Sequence, residues 1–104
     1  MINRKTINQY ITKNLNSPET TYGSKDRGYA FEISQYPRRT PEGFDDILIG
    51  LGSYLVLKDS GAVYQFGTTS EDIEILSADT AEHLFDRMRV AGYSLEPIDM
   101  IMES

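Results

Sequence analysis

Few residues of this 104-residue chain have the types and spacing of a reactive set. The single histidine, His83, follows Glu82 and falls beside, not within, the apolar stripe of a helical segment. A general base needs a positioned partner, and none is evident, so His83 reads as an exposed helix residue. With no cysteine, thiol nucleophiles, disulfides and thiolate metal sites are excluded. Serine is plentiful, yet no Gly-x-Ser-x-Gly elbow occurs and a Ser–His pair would have to rest on His83. Two acidic pairs remain, Asp45/Asp46 and Asp72/Glu74. On a strand Asp72 and Glu74 would share one face and could hold a hard cation, but such a site takes about six or more oxygens and no EF-hand loop is present. The expectation is a solvated strand face, with no metal and no cofactor. Gly50, Gly52, Gly61 and Gly67 spell no phosphate loop or dinucleotide fingerprint; they punctuate strands. Arg38-Arg39, between two prolines, reads as a hydrated loop. No catalytic residue is assigned, and an enzyme is not expected.

Charge and tyrosine content point instead to binding. The formal net charge is −6, and it is uneven. Residues 1–27 carry Arg4, Lys5, Lys13, Lys25 and Arg27 against Glu19 and Asp26, whereas residues 40–82 carry nine acidic groups against Lys58 alone. An acidic surface repels phosphate backbones and steers basic partners. Nucleic acid is therefore disfavoured; a hydrated face that keeps the protein soluble is the plainer alternative. Seven tyrosines exceed what a small core needs, and tyrosine is enriched at protein interfaces. Tyr22 and Tyr36, at loop boundaries, are the surface candidates. The expected partner-contact set is Asp45, Asp46, Asp72, Glu74, Tyr22 and Tyr36.

The element that positions the rest is Gly52–Gly67. Two apolar runs flank Lys58-Asp59-Ser60-Gly61, where Asp and Ser bond local backbone and Gly61 can take the positive φ of a hairpin loop. Leu55 and Leu57 fall on one face, Tyr54 and Val56 on the other; Ala62, Tyr64 and Phe66 alternate with Val63 and Gln65. Apolar residues on both faces predict a hairpin inside a sheet covered on each side. Before it, Asn3 caps a helix from Arg4 to Leu15 with Ile7, Tyr10, Ile11 and Leu15 as its stripe, and Asn16-Ser17-Pro18 stops it. Residues 17–27 read as a loop with a short extended piece at Thr20–Tyr22. Gly28 opens a strand in which Tyr29, Phe31 and Ile33 alternate with Ala30, Glu32 and Ser34. Residues 44–49 fit either a helical turn or an extended link. Ile73 and Ile75 predict a short strand over 71–76. Ser77 or Asp79 caps a second helix to Val90, and Gly92 stops it. The tail 93–104 is an edge strand or a docked extension. The class predicted is α+β in one domain, 1–104: an N-terminal helix, an antiparallel sheet of 3–5 strands with a central hairpin at about 53–67, and a second helix at about 78–90.

The segment Gly52-Ser53-Tyr54-Leu55-Val56-Leu57-Lys58-Asp59-Ser60-Gly61-Ala62-Val63-Tyr64-Gln65-Phe66-Gly67-Thr68-Thr69, with the aromatic strand Tyr29-Ala30-Phe31-Glu32 and the N-terminal helix, resembles the YrhB-like small bacterial proteins grouped with the immunity protein 35 family. The likeness covers roughly residues 3–70 and weakens beyond. It implies a cytoplasmic antitoxin that neutralises a cognate protein toxin by binding it, or a small chaperone-like or ligand-binding module; an acidic immunity protein suits a basic, nuclease-type toxin. It brings no catalytic residues. No apolar run approaches the roughly 18 residues that span a bilayer, no secretory leader is read at the N-terminus, and the chain is expected as a monomer or homodimer.

Overall fold

The computed structural model describes residues 1–15, 17–18, 20–37 and 52–102. Among them five strands form one antiparallel sheet in the order β1-β2-β3-β4-β5: β1 Thr20–Asp26, β2 Ala30–Pro37, β3 Ser53–Leu57, β4 Ala62–Phe66 and β5 Asp99–Met100. Every neighbour in sequence is a neighbour in space, so the fold is a meander. The α+β class is as the sequence predicts, with β3 and β4 interior. Gly61 closes their turn at φ +78°, its N–H donating to Leu57 O at 2.9 Å.

The register sorts the side chains into two cores. Val56 pairs with Phe31 and Val63, and these share a face with Ile33. That face is covered by α1 (Arg4–Tyr10), which contributes Ile7 and Tyr10, while Ile2 packs alongside. On the other face Leu55, Leu57, Ala62, Tyr64 and Phe66 pack against α2 (Ser70–Leu76) and α3 (Ala81–Val90) through Ile75, Leu76, Leu84 and Met88. Tyr64 meets Phe85 edge-on, with centroids 5.9 Å apart. The hairpin thus has cover on both sides, as its two apolar faces require.

Several boundaries depart from expectation, each for a local reason. Asn3 caps α1 through its Oδ1, which accepts from Thr6 N at 2.9 Å. The α-helix gives way at Ile11 to a π-helical turn, Ile11–Leu15. There Thr12 Oγ1 and Asn14 Nδ2 donate to the carbonyls of Asn8 and Tyr10, a side-chain competition that loosens helical backbone. Residues 20–26 are a full strand rather than a loop with an extended piece, because β1 zips to β2 across a tight Gly28-Tyr29 turn. In that turn Arg27 N donates to Ala30 O, and Asp26 Oδ1 accepts from Gly28 N. Tyr29, lying in the turn after Gly28 at φ +88°, escapes the alternation. It joins the core opposite to that of Phe31 and Ile33.

The predicted strand over 71–76 is helix α2. Thr69-Ser70-Glu71-Asp72 caps it: Thr69 Oγ1 accepts from Asp72 N at 3.1 Å, and Glu71 and Asp72 sit in the first turn, where negative charge suits the helix dipole. Ile75 is buried while Ile73 is 59% exposed, so the two isoleucines do not share a face. The cap of α3 is Thr80, not Ser77 or Asp79. Gly92 stops that helix as predicted: Gly92 N donates to Arg89 O and Tyr93 N to Met88 O, the bond pair of a Schellman motif. The tail combines the two alternatives: Asp99–Met100 forms a short edge strand, and the stretch before it docks through Leu95 O, which accepts from Tyr64 OH, and Ile98 N, which donates to Val63 O. Residues 44–49 lie outside the described residues.

The two ends of the sheet's path meet the same turn. Ile2 N donates to Lys58 O at 2.9 Å, and Ile101 N to Gly61 O at 2.8 Å. A Cβ on Gly61 would stand 2.1 Å from Ile101 O, and φ +78° disfavours any L side chain besides. Gly61→Ala is therefore expected to cost about 2 kcal/mol in chemical denaturation. It should also raise amide exchange at Ile98 and Ile101 ahead of the β2–β3 amides; unchanged exchange at the tail would contradict the close approach.

Candidate functional site

The helical layers on the two sides of the sheet differ in charge: α2 and α3 are acidic, and α1 with its π-helical turn is basic. On the helix-pair face Glu71 and Glu74 of α2 and Glu82 and Asp86 of α3 are all exposed. A shallow groove of about 240 Å³ runs between the helices, with Glu71, Glu74 and Asp86 at its sides and Ile75, Ala91 and Val90 along it. Val90 is 90% exposed, an apolar anchor among carboxylates. The arginines of this layer do little to neutralise it. Arg87 turns beneath, donating to Glu74 O at 2.7 Å and Ser77 Oγ at 2.8 Å. Arg89 pairs with Asp86 at 2.7 Å, an exposed i,i+3 contact of small worth. On α1 and its π-helical turn the charged residues are Arg4, Lys5 and Lys13, and Lys58 lies over the Phe31 ring on the same side. Arg4 is anchored, donating to Ser24 O and Oγ at 3.1 and 2.7 Å and lying 5.6 Å from the Phe31 ring centre.

The expected contact set is only partly assembled. Asp45 and Asp46 lie outside the described residues, as does the Arg38-Arg39 pair. Glu74 is exposed on α2. Asp72 is buried and cannot face a partner: its Oδ2 accepts from Gly67 N at 2.7 Å and its Oδ1 from the Tyr93 hydroxyl. The solvated strand face expected for Asp72 and Glu74 is thereby corrected, because helical geometry turns the two carboxylates apart. Tyr22 is half-buried and donates to Leu15 O, tying β1 to the end of the helical segment. Tyr36 is 56% exposed; by register, counting from Thr21↔Tyr36 to Lys25↔Glu32 and Glu32↔Leu55, it stands on the helix-pair side of the sheet. His83 is exposed, and its backbone N–H donates to the Thr80 cap. Among the described residues no group of three or more His, Cys, Asp or Glu converges in a metal-holding arrangement, and no helix is long and apolar enough to cross a membrane.

The contacts that hold the acidic layer in place join residues far apart in the sequence. Arg27 reaches from the β1–β2 turn, pairing with Glu32 at 2.5 Å and donating to Leu76 O at 2.6 Å. With Arg87 on Glu74 O, two guanidiniums thus occupy the carbonyl end of α2, where cations favour the helix dipole. Asp72 holds the other end. The Thr69-x-x-Asp72 spacing was the available signal, a capping-box pattern. The arginine contacts at the end of α2 carry no comparable mark.

Comparison with protein-family models, curated proteins and solved structures finds no match to this chain.

The Asp72 carboxylate pushes the Tyr93 phenol up from 10.0 to about 12, chiefly through their hydrogen bond, with burial and Glu71 adding. Burial and the Asp99 carboxylate raise Tyr10 likewise. A phenol whose folded pKa is raised contributes stability that is whole below the unfolded value. That contribution fades as pH climbs toward the folded one. Thermal stability should therefore decline between pH 10.0 and about 12. Tyr93→Phe should flatten part of the decline, and Asp72→Asn should return one phenolate transition toward 10.0 in ultraviolet titration. An unshifted titration in Asp72→Asn would refute the contact.

Proposed function

We propose that this protein is a non-catalytic binding module that captures a basic protein partner on its α2–α3 face. In keeping with the resemblance of residues 52–69, we propose that the partner is a bacterial toxin of nuclease type, neutralised in the cytoplasm. The observation that carries this reading is the exposed carboxylates Glu71, Glu74 and Asp86 around the bare Val90 side chain, with Glu82 further along α3, on a layer where Arg87 is drawn onto the Glu74 carbonyl and Arg89 offsets Asp86 alone. An apolar anchor ringed by like charges has the makings of an interface: the anchor supplies residence time, and the charges supply encounter rate. Tyr36 extends the surface along the sheet, and Asp72 serves it from within by fixing the start of α2.

The reading is tested by capturing the tagged protein's partner from its own cells and measuring association with the purified pair. A stoichiometric basic protein is expected. Glu71→Lys/Glu74→Lys should slow association about tenfold or more at low salt, with the gap narrowing as salt rises. Val90→Asp should speed dissociation. Rates indifferent to all three substitutions would remove this face from the account, and recovery of many unrelated proteins would favour a chaperone instead.

A further inference from the structure

Among the described residues the two faces of the sheet are unequally covered. Five strands at about 4.8 Å spacing make a sheet roughly 19 Å wide, and a helix with its side chains is about 10 Å across. The face carrying α2 and α3 is filled by two helices. The other has α1 and its π-helical turn, and beside them an open groove of about 780 Å³ runs between that segment and the last strand. The Tyr10 hydroxyl, bonded to Asp99, joins the two walls across it.

The lining is distinctive. Lys5, Gln9 and Lys13 stand at i, i+4 and i+8, one row along the helical segment, with the two ammonium-bearing positions roughly 12 Å apart along the axis. All three are exposed, and none has an ion-pair or hydrogen-bond partner among the described residues. The opposite wall offers Ile101, half-buried, and Met102, 82% exposed. Asp99 is the one acidic lining residue, and it is already engaged: Oδ2 accepts from Tyr10 OH and Oδ1 from Met100 N, both at 2.8 Å. The second of these bonds occupies a backbone donor that an added strand would need, so strand addition along β5 is disfavoured. In a chain of net charge −6, this groove is therefore walled on one side by lysines that have no partner among the described residues and on the other by apolar side chains.

We infer that this groove is a second docking site, which receives an acidic amphipathic helix of another protein. Carboxylates two turns apart on that helix meet Lys5 and Lys13. Leucine or methionine side chains between them lie on Tyr10, Ile101 and Met102, the methionine adapting to the shape presented. The site lies on the opposite side of the sheet from the acidic layer and does not rest on the toxin-binding reading.

A phage-displayed library of random peptides, long enough for about four helical turns, is panned on the intact protein and the enriched peptides are synthesised. They are expected to carry net negative charge with acidic residues about two turns apart and Leu or Met between. Bound peptide should shift the amides of residues 5–13 and 99–102, leaving α2 and α3 unmoved. Lys5→Glu/Lys13→Glu should weaken binding at least about tenfold, and Lys5→Gln/Lys13→Gln should weaken it by less. Lys25→Glu, an exposed lysine on β1, should leave it unchanged. The inference fails if nothing is enriched, if the enriched peptides lack acidic residues, or if the Lys25 variant loses as much as the groove variants. It also fails if wild-type protein self-associates in a way that Lys5→Glu/Lys13→Glu abolishes, since the occupant would then be a second copy of this chain.

Discussion

The β3–β4 hairpin is apolar on both faces, and that single constraint organises the molecule. Val56 and Val63 point one way, while Leu55, Leu57, Tyr64 and Phe66 point the other. Neither set can be left in water, where each large side chain costs about 2 kcal/mol of transfer free energy. Flanking strands must close the hairpin's backbone edges, and helices must close its faces. The meander supplies β2 and β5 for the edges, α1 for one face and α2–α3 for the other. Once the hairpin is central, little freedom remains for the segments around it.

The helix pair is locked more firmly than burial alone would give. Asp72 secures the start of α2 through Gly67 N and Tyr93 OH, and Arg27 and Arg87 secure its end. These contacts reach the sheet's first turn, the hairpin exit and, three residues past the end of α3, Tyr93, so one short helix gathers three distant stretches of chain. A surface built on such a helix is held in one shape before any encounter. Pre-organisation of this kind lowers the ordering cost of association, which is the physical link between the buried carboxylate and the exposed ones.

How much of this was legible in the chain depended on whether the signal was local. The hairpin, the Asn3 cap and the Gly92 stop are written in neighbouring residues, and each stands where the pattern put it. The stretch 71–76 was misread because Ile73 and Ile75 imitate the two-residue period of a strand. The cap at Thr69 and the burial of Asp72, Ile75 and Leu76 at helical spacing outweigh that likeness. The exposure expected of Asp72 failed for a different reason: its partners Gly67 and Tyr93 are brought to it only by the completed fold. Tyr29 changed sides because one glycine before it turned the chain. The groove beside α1 had no sequence signature, since it arises from the width of the sheet against the number of helices on each face. Asp45 and Asp46, the other half of the expected acidic contact, lie outside the described residues.

The turn 58–61 receives Ile2 on one side and Ile101 on the other, so the polypeptide travels in a nearly closed ring. A short bridge from residue 2 to residue 101 would add little closure entropy, because that term grows only slowly with loop length. The ring could then be opened at an exposed corner such as Thr68-Thr69 with strand order and pairing untouched. The architecture belongs to the cycle of contacts, and the point at which the chain is cut is secondary to it.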